Sequence, residues 1–517
     1  MALLASPALA KPRPPVIKAA VKPDMAAQAL AGEMSIADLQ AAMKKGDLTA
    51  ESLTRAALAR IKALDGGLHA VIAVNPDAIA EAKAADSARK GGKDLGPMMG
   101  IPVLVKDNIE TLDPLATTAG SLALKDNITH RDAPLIARLR AGGAVVLAKA
   151  NLSEWANIRS THAMSGWSAM GGLVANPYER DRTACGSSSG TGAGIAADYA
   201  VIGIGSETDG SVTCPSSMQG LVGLKPTVGL VSRTHIVPIS HSQDTAGPMG
   251  HSVDDVAAIL GVMAGADPAD AATADADAHK VDYSQGLSKD ALKGVRIGVL
   301  RDEIGNEPKT AALFDKALQS LKDAGAVLVD IKDSSVAKLG DNEGAVLNYE
   351  LKADLNTYLA TTPATVKTRT LADLIAFDNA NAAKEMPFFG QELFENAQKT
   401  TGLGDPAYVA ASVAKATAAA RIDGLLKDNN VAVLVAPTYA PAWLSDPVYG
   451  DIYNGPSSTQ LPAVAGYPHL TVPMGLIQGL PVGLSFIGTK WSEASLLKAG
   501  YAFEQVTHAR KQPQGIK

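Results

Sequence analysis

The sequence predicts an α/β fold: a single large α/β/α domain whose mixed central β-sheet is covered by helices on both faces. Two observations predict it. Short apolar, β-branched runs bounded by Gly, Pro or Asp alternate with segments of helical periodicity through most of the 517 residues. The runs are apolar at successive positions, as in strands buried on both sides. Hydrophobic residues make up 46% of the chain but aromatics only 4%, so the core has to be built from Ala, Val, Leu and Ile.

In chain order, residues 11–34 are rich in Pro, Lys and Ala without periodicity and read as a linker or N-terminal arm. The domain then spans residues 35–512. Ser35 with Asp38 forms a capping-box pattern ahead of Leu39 and Met43, and Gly46 ends that helix. Thr49 caps a second helix with Leu53, Ala57, Ile61 and Leu64 on one face, stopped by Asp65-Gly66-Gly67. Residues 70–74 read as a strand, 76–90 as an alanine-rich helix, and 101–105 as a buried strand with Lys106 at its end. Residues 133–141 are helical and 144–148 form another buried strand.

Two Gly/Ser clusters, 186–194 and 203–211, bracket the apolar run 195–202 and read as loop, helix or strand, loop. Residues 253–264 are helical. Residues 265–284 turn to Ala and Asp low complexity and read as solvated linker, with Asp275, Asp277 and His279 not taken as metal ligands. Strands at 295–300 and 326–330 flank a helix at 310–324. Residues 343–398 are mostly helical, 434–438 form a strand, and two more strands centre on Pro473 and Gly483. The stretch at about 265–430 is expected to be a divergent, mainly helical region on the substrate side.

The formal net charge of −6, without a Lys/Arg block, argues against nucleic acid as a partner. No apolar run approaches the roughly 18 residues of a membrane helix, so no membrane is expected either. Residues 1–10, MALLASPALA, end in an A-x-A-like site and read as the remnant of a signal peptide. That implies a periplasmic or secreted protein; the missing basic n-region leaves a cytoplasmic one as the alternative. Two cysteines, Cys185 and Cys214, exclude a disulfide framework and a four-Cys zinc site. They read as two small buried thiols rather than a disulfide. No cofactor and no metal are expected, and the assembly is a monomer or homodimer.

Three serine chemistries can be weighed. Gly186-Ser187-Ser188-Ser189-Gly190 formally matches G-x-S-x-G, with Ser188 as nucleophile and His469 as its histidine. That elbow needs a strand just before it, and residues 178–183 are mostly polar and charged. The S-x-x-K of the β-lactamases occurs at 335–338 and 495–498, but neither S-D-N nor K-T-G is present. The third fits. Lys106 in GIPVLVKDN, Ser187 in CGSSSG and Ser211 in GSETDGS are followed by GLVGLKPT at 220–227, DTAGPM at 244–249, VAGYP at 464–468 and GLPVG at 479–483. In kind and order these resemble the elements of the amidase signature family, over roughly residues 35–510.

There are departures. Cys185 and Ser189 stand where the family's first serine motif has Gly, Asp209 replaces a Gly of the second, and Glu207 an Asp. Together with NLSEWAN at 151–157 they resemble the peptide amidase branch of the family.

The resemblance implies the amidase signature fold, a triad of Lys106, a cis-bonded Ser187 and Ser211, and an acyl-enzyme. Ser211 attacks, Ser187 relays the proton to Lys106, and Thr208, Asp209, Gly210 and Ser211 turn backbone N–H groups toward the oxyanion. Ser188 is grouped with these oxyanion and substrate-binding residues, as a hydrogen-bonding group and not a nucleophile. Asp107 and Asn108 hold the Lys106 loop, and none of the histidines has a required role. Trp155, Trp167, Tyr439 and Trp443 line either a pocket or the core. Physical chemistry supports the base: lysine serves only when neutral, and burial at the end of an apolar strand disfavours its charged form. The expected activity is a serine amidohydrolase acting on C-terminal peptide amides or a similar linear carboxamide. The alternatives are an aryl-acylamidase or amide-xenobiotic hydrolase, and the glutaminase component of a tRNA-charging amidotransferase.

Overall fold

The structure, a computed structural model, describes residues 24–453 and 455–514. The leader reading of residues 1–10 lies outside these. An eleven-stranded mixed sheet forms the centre. Its spatial order is Val71–Val74, Val145–Ala150, Pro102–Lys106, Ile202–Glu207, Thr245–Gly250, Val222–Lys225, His469–Ile477, Leu480–Ile487, Val433–Pro437, Arg296–Leu300 and Val327–Ile331. Pro102–Lys106 runs parallel to both its neighbours, and Val433–Pro437 and Val327–Ile331 run parallel to Arg296–Leu300. The remaining pairings are antiparallel. Every residue of Pro102–Lys106, Val145–Ala150, Ile202–Glu207 and Val222–Lys225 is buried, so helices cover both faces of the sheet there.

Register sends two buried lysines to opposite sides. Lys106 pairs with Ala150, whereas Lys149 pairs with Val105. Side chains alternate along a strand, so Lys106 and Lys149 leave the sheet through different faces.

Three sequence expectations change. Part of the N-terminal arm is folded: Met25–Leu30 is a helix, capped by Asp24, that buries Ala26, Ala29 and Leu30. A six-residue helix is too short to show periodicity and is stable only through tertiary contact. Arg510 Nη1 and Gln512 Nε2 both donate to Ala31 O just after it.

The Ala/Asp stretch 265–284 is likewise no loose linker. Asp267 accepts from the hydroxyls of Ser232 and Thr234, and Asp270 forms an ion pair with Arg233 at 2.6 Å. Asp277 accepts from Ala266 N, and the His279 ring stacks on Trp491 at 4.4 Å between centroids. Composition cannot reveal donors that lie far away in the chain.

The third change concerns the Gly/Ser clusters. The helix is Ser189–Ala196, which starts inside the first, and the strand is Ile202–Glu207, which occupies part of the second. The helix glycines serve close packing. A Cβ on Gly190 would lie 2.3 Å from Ala70 O, and one on Gly194 would lie 2.6 Å from Leu104 Cδ1. A stretch that reads as loop from composition is thus a helix pressed against the sheet.

Candidate active site

Lys106 ends its strand fully buried, with Nζ 2.7 Å from Ser187 Oγ, 2.9 Å from Ser206 Oγ and 3.1 Å from Ser206 O. Asn108 Nδ2 also donates to Ser206 Oγ, at 2.9 Å. Burial pulls the Lys106 ammonium down to about 7, against the weaker opposing pull of Asp244 and Glu207. Asp107 faces away from this cluster. Its carboxyl accepts from Thr118 N and Thr118 Oγ1 and lies 3.3 Å from Lys149 Nζ, with both members of that pair fully buried. Asp107 and Asn108 therefore both fasten the turn that carries Lys106.

Ser187 follows a cis peptide bond with Gly186 and is fully buried. Its carbonyl accepts from Ser153 N at 3.1 Å, so the NLSEWAN segment supports this turn. Ser188 points elsewhere: its Oγ donates to Ser206 O and accepts from Ser206 N. His469, the histidine the G-x-S-x-G reading would need, contacts Ser485 Oγ through Nε2.

Ser211 retains slight exposure, and its carbonyl accepts from Ser188 N at 3.1 Å, which ties the two serine turns together. The Ser187 and Ser211 hydroxyls make no hydrogen bond to each other among the described residues. Glu207 shapes the second turn: Oε2 accepts from Val212 N at 2.7 Å and from Thr213 N at 2.9 Å, at the start of helix Thr213–Met218. Thr208 Oγ1 donates to Asp244 Oδ1 at 2.7 Å. Between these anchors, the N–H groups of Thr208, Asp209, Gly210 and Ser211 donate to no described residue. A run of free N–H groups beside a serine hydroxyl is a site for a developing negative charge.

Cys185 and Cys214 form a disulfide, contrary to the reading of two free thiols. They flank the two serine turns, and the Ser188–Ser211 backbone contact brings those turns together. With Met218, the bridge packs against Ala442, Trp443 and Tyr439.

Tyr439 and Trp443 also line a cavity of about 440 Å³, together with Asp209, Tyr453, Ser457 and Gln460. Trp155 and Trp167 belong to the core, packed edge-on against Phe394 and Phe389. His241, Glu350 and Asp354 bring a ring nitrogen and two carboxylates together, as metal ligands can be. Glu350, however, already accepts from the hydroxyls of Ser240, Ser242 and Tyr408, so the group is a hydrogen-bond network. Sequence reasoning missed Ser206 and Glu343. Ser206 left one signal, a hydroxyl that follows the apolar and glycine run Ile202–Gly205 in its strand; Glu343 left only its place in the helical region expected on the substrate side.

The Amidase family model matches residues 52–497. The chain is 47% identical to native peptide amidase from Stenotrophomonas maltophilia, with a TM-score of 0.88 over 94% of this chain and 99% of that one. It is 37% identical over 497 residues to a probable amidase of Arabidopsis thaliana, covering 94% of this chain and 92% of the relative. It is 35% identical over 503 residues to a component of the glutamyl-tRNA(Gln) amidotransferase of Chloroflexus aurantiacus, covering 92% of this chain and 96% of the relative.

Proposed function

The chain belongs to the amidase family and is an amide-hydrolysing enzyme, and from that premise we propose that it releases ammonia from the C-terminal carboxamide of peptides, with Ser211 as nucleophile, Ser187 as proton relay and Lys106 as base. The observation that carries this reading is the 2.7 Å contact between Ser187 and a buried Lys106 whose charge burial disfavours more than Asp244 and Glu207 restore it. A neutral amine has two N–H donors and one lone pair. Directing the donors at Ser206 O and Ser206 Oγ leaves the lone pair facing the Ser187 hydroxyl.

Ser187 passes its proton to Lys106 and takes one from Ser211, whose Oγ attacks the amide carbon. The relay requires the two hydroxyls to close to hydrogen-bond distance when substrate binds, as catalytic contacts in free enzymes commonly do. The N–H groups of 208–211 receive the oxyanion. Collapse breaks the C–N bond, Ser187 returns a proton to the leaving ammonia, and water then hydrolyses the acyl-serine.

The peptide as substrate is supported by the likeness to peptide amidase and by the surroundings of the cavity. Leu444, Val448, Tyr449 and Ile452 are exposed on the segment that also carries Trp443 and Tyr453, an apolar surface suited to an extended acyl chain. Glu343, from the helical region, is held by Gln243 and Gln460 beside that cavity, which supports a substrate-side role for the region. The disulfide supports a periplasmic or secreted location, where such bonds persist.

A second reading, the glutaminase component of an amidotransferase, is favoured by the 35% identity to the Chloroflexus aurantiacus protein but has the lower likeness of the two. The deciding experiment measures ammonia from peptide amides, glutamine and anilides with the purified chain alone. Ammonia from peptide amides with the peptide bonds intact is the expected result. Activity confined to anilides would replace the peptide substrate, and activity only with glutamine and a partner protein would establish the second reading.

A further inference from the structure

The cavity behind the second serine turn is lined by an acid that has Thr459 beside its carboxyl but pairs with no cation among the described residues. Asp209, two residues before Ser211, is half-buried, and its Oδ1 is sealed from solvent with no hydrogen-bond partner. A second carboxyl, Glu343, is buried nearby and held by the side-chain amides of Gln243 at 2.8 Å and Gln460 at 2.9 Å. Among the described residues neither acid forms an ion pair. Gln460 and Asp209 line the same cavity as three aromatic rings, Tyr439, Trp443 and Tyr453. Trp443 and Tyr453 stand 4.9 Å apart at 60°, presenting an angled wall.

A carboxyl with one oxygen sealed from water and no cation beside it is costly to ionise, and an arriving opposite charge relieves that cost. Aromatic faces attract the same kind of charge. Acid and rings together therefore select for a cation. We propose, on the basis of the amidase reading above, that Asp209 is a specificity residue and that this cavity takes a cationic group, an ammonium or guanidinium, carried on the acyl part of the amide substrate. The burial that creates the preference also acts on the free enzyme. Desolvation, and then the charge of Glu343, hold the Asp209 carboxyl well above the usual carboxylate range, and a bound cation reverses this. Asp209 has two parts with separate tasks: its N–H belongs to the oxyanion turn, and its side chain reads the substrate.

The test compares amides that differ by one charge. N-acetyl-lysinamide is set against N-acetyl-norleucinamide, and glycyl-leucinamide against its N-acetyl derivative, which places the cation at two different reaches from the scissile amide. In the wild-type enzyme kcat/KM should favour the cationic member of at least one pair by about tenfold or more, the scale of a charge-assisted hydrogen bond. In Asp209→Asn, which keeps the shape and the backbone N–H, that ratio should collapse toward unity. The ratio within a pair cancels any loss of turnover common to both substrates. Hydrolysis of all four amides by the wild type without a cation preference overturns this inference and leaves the amidase reading standing. A preference that persists in Asp209→Asn removes Asp209 from the role. No ammonia from any of the four overturns both.

Discussion

Lys106 Nζ lies 2.7 Å from Ser187 Oγ, fully buried and in no ion pair among the described residues. The consequence is a base usable near neutrality. Burial holds Lys106 at about 7 instead of its ordinary 10.5, and only the neutral amine can accept a proton. As pH falls below about 7 the base is lost, so kcat/KM should decline by about tenfold per unit on the acid side and level off above. Lys106→Met should remove the reaction. A profile that is flat from pH 5 to 8 would contradict the assignment.

The two serines should separate experimentally. Ser211→Ala should lose both turnover and covalent labelling by a sulfonyl fluoride, read by intact-protein mass. Ser187→Ala removes an acid–base step and should lower kcat by about 10²–10⁴-fold. Labelling that survives in Ser211→Ala and vanishes only in Ser187→Ala would exchange their roles.

Gly210 has φ +75°, and a Cβ there would sit 2.8 Å from Tyr439 Oη. A β-branched residue suits neither the conformation nor the space. Gly210→Val should lower kcat by at least about 10²-fold, the loss of one oxyanion donor or more. Near-normal turnover with an unchanged melting temperature would dismiss the turn as the oxyanion site.

The Cys185–Cys214 bridge spans 29 residues of sequence and encloses both serines. Removing it with Cys185→Ser/Cys214→Ser should cost about 2–4 kcal/mol in denaturant unfolding. Activity should fall as well, because the bridge packs under Tyr439 and Trp443. An unchanged midpoint in urea would show that hydrogen bonds alone hold the serine turns.

What the sequence reveals follows from how local each signal is. The Lys106 strand is legible because all of Pro102–Lys106 is buried and so had to be apolar up to the lysine. The two serine turns are legible through their glycines. Their internal geometry is not: the same residue type forms a turn at Gly210 and a tight helix–sheet contact at Gly190, and only the neighbouring atoms distinguish them. The cysteine pair and the Asp209–Glu343 neighbourhood depend on approach between distant segments, which composition does not encode. The acids at 267–277 mislead for a related reason, since their donors include Ser232, Arg233 and Thr234.

The hydrogen bonds from Arg510 and Gln512 to Ala31 O also have a topological meaning. They bring residue 31 together with residues 510 and 512, so in a chain trimmed to the described residues a short peptide could connect the two ends covalently. The chain could then be opened elsewhere, for example at the exposed turn around Gly404, giving a circular permutant. Such a molecule would carry Lys106, Ser187 and Ser211 in the interior of its sequence, with both new ends at a surface turn outside the segments that hold them.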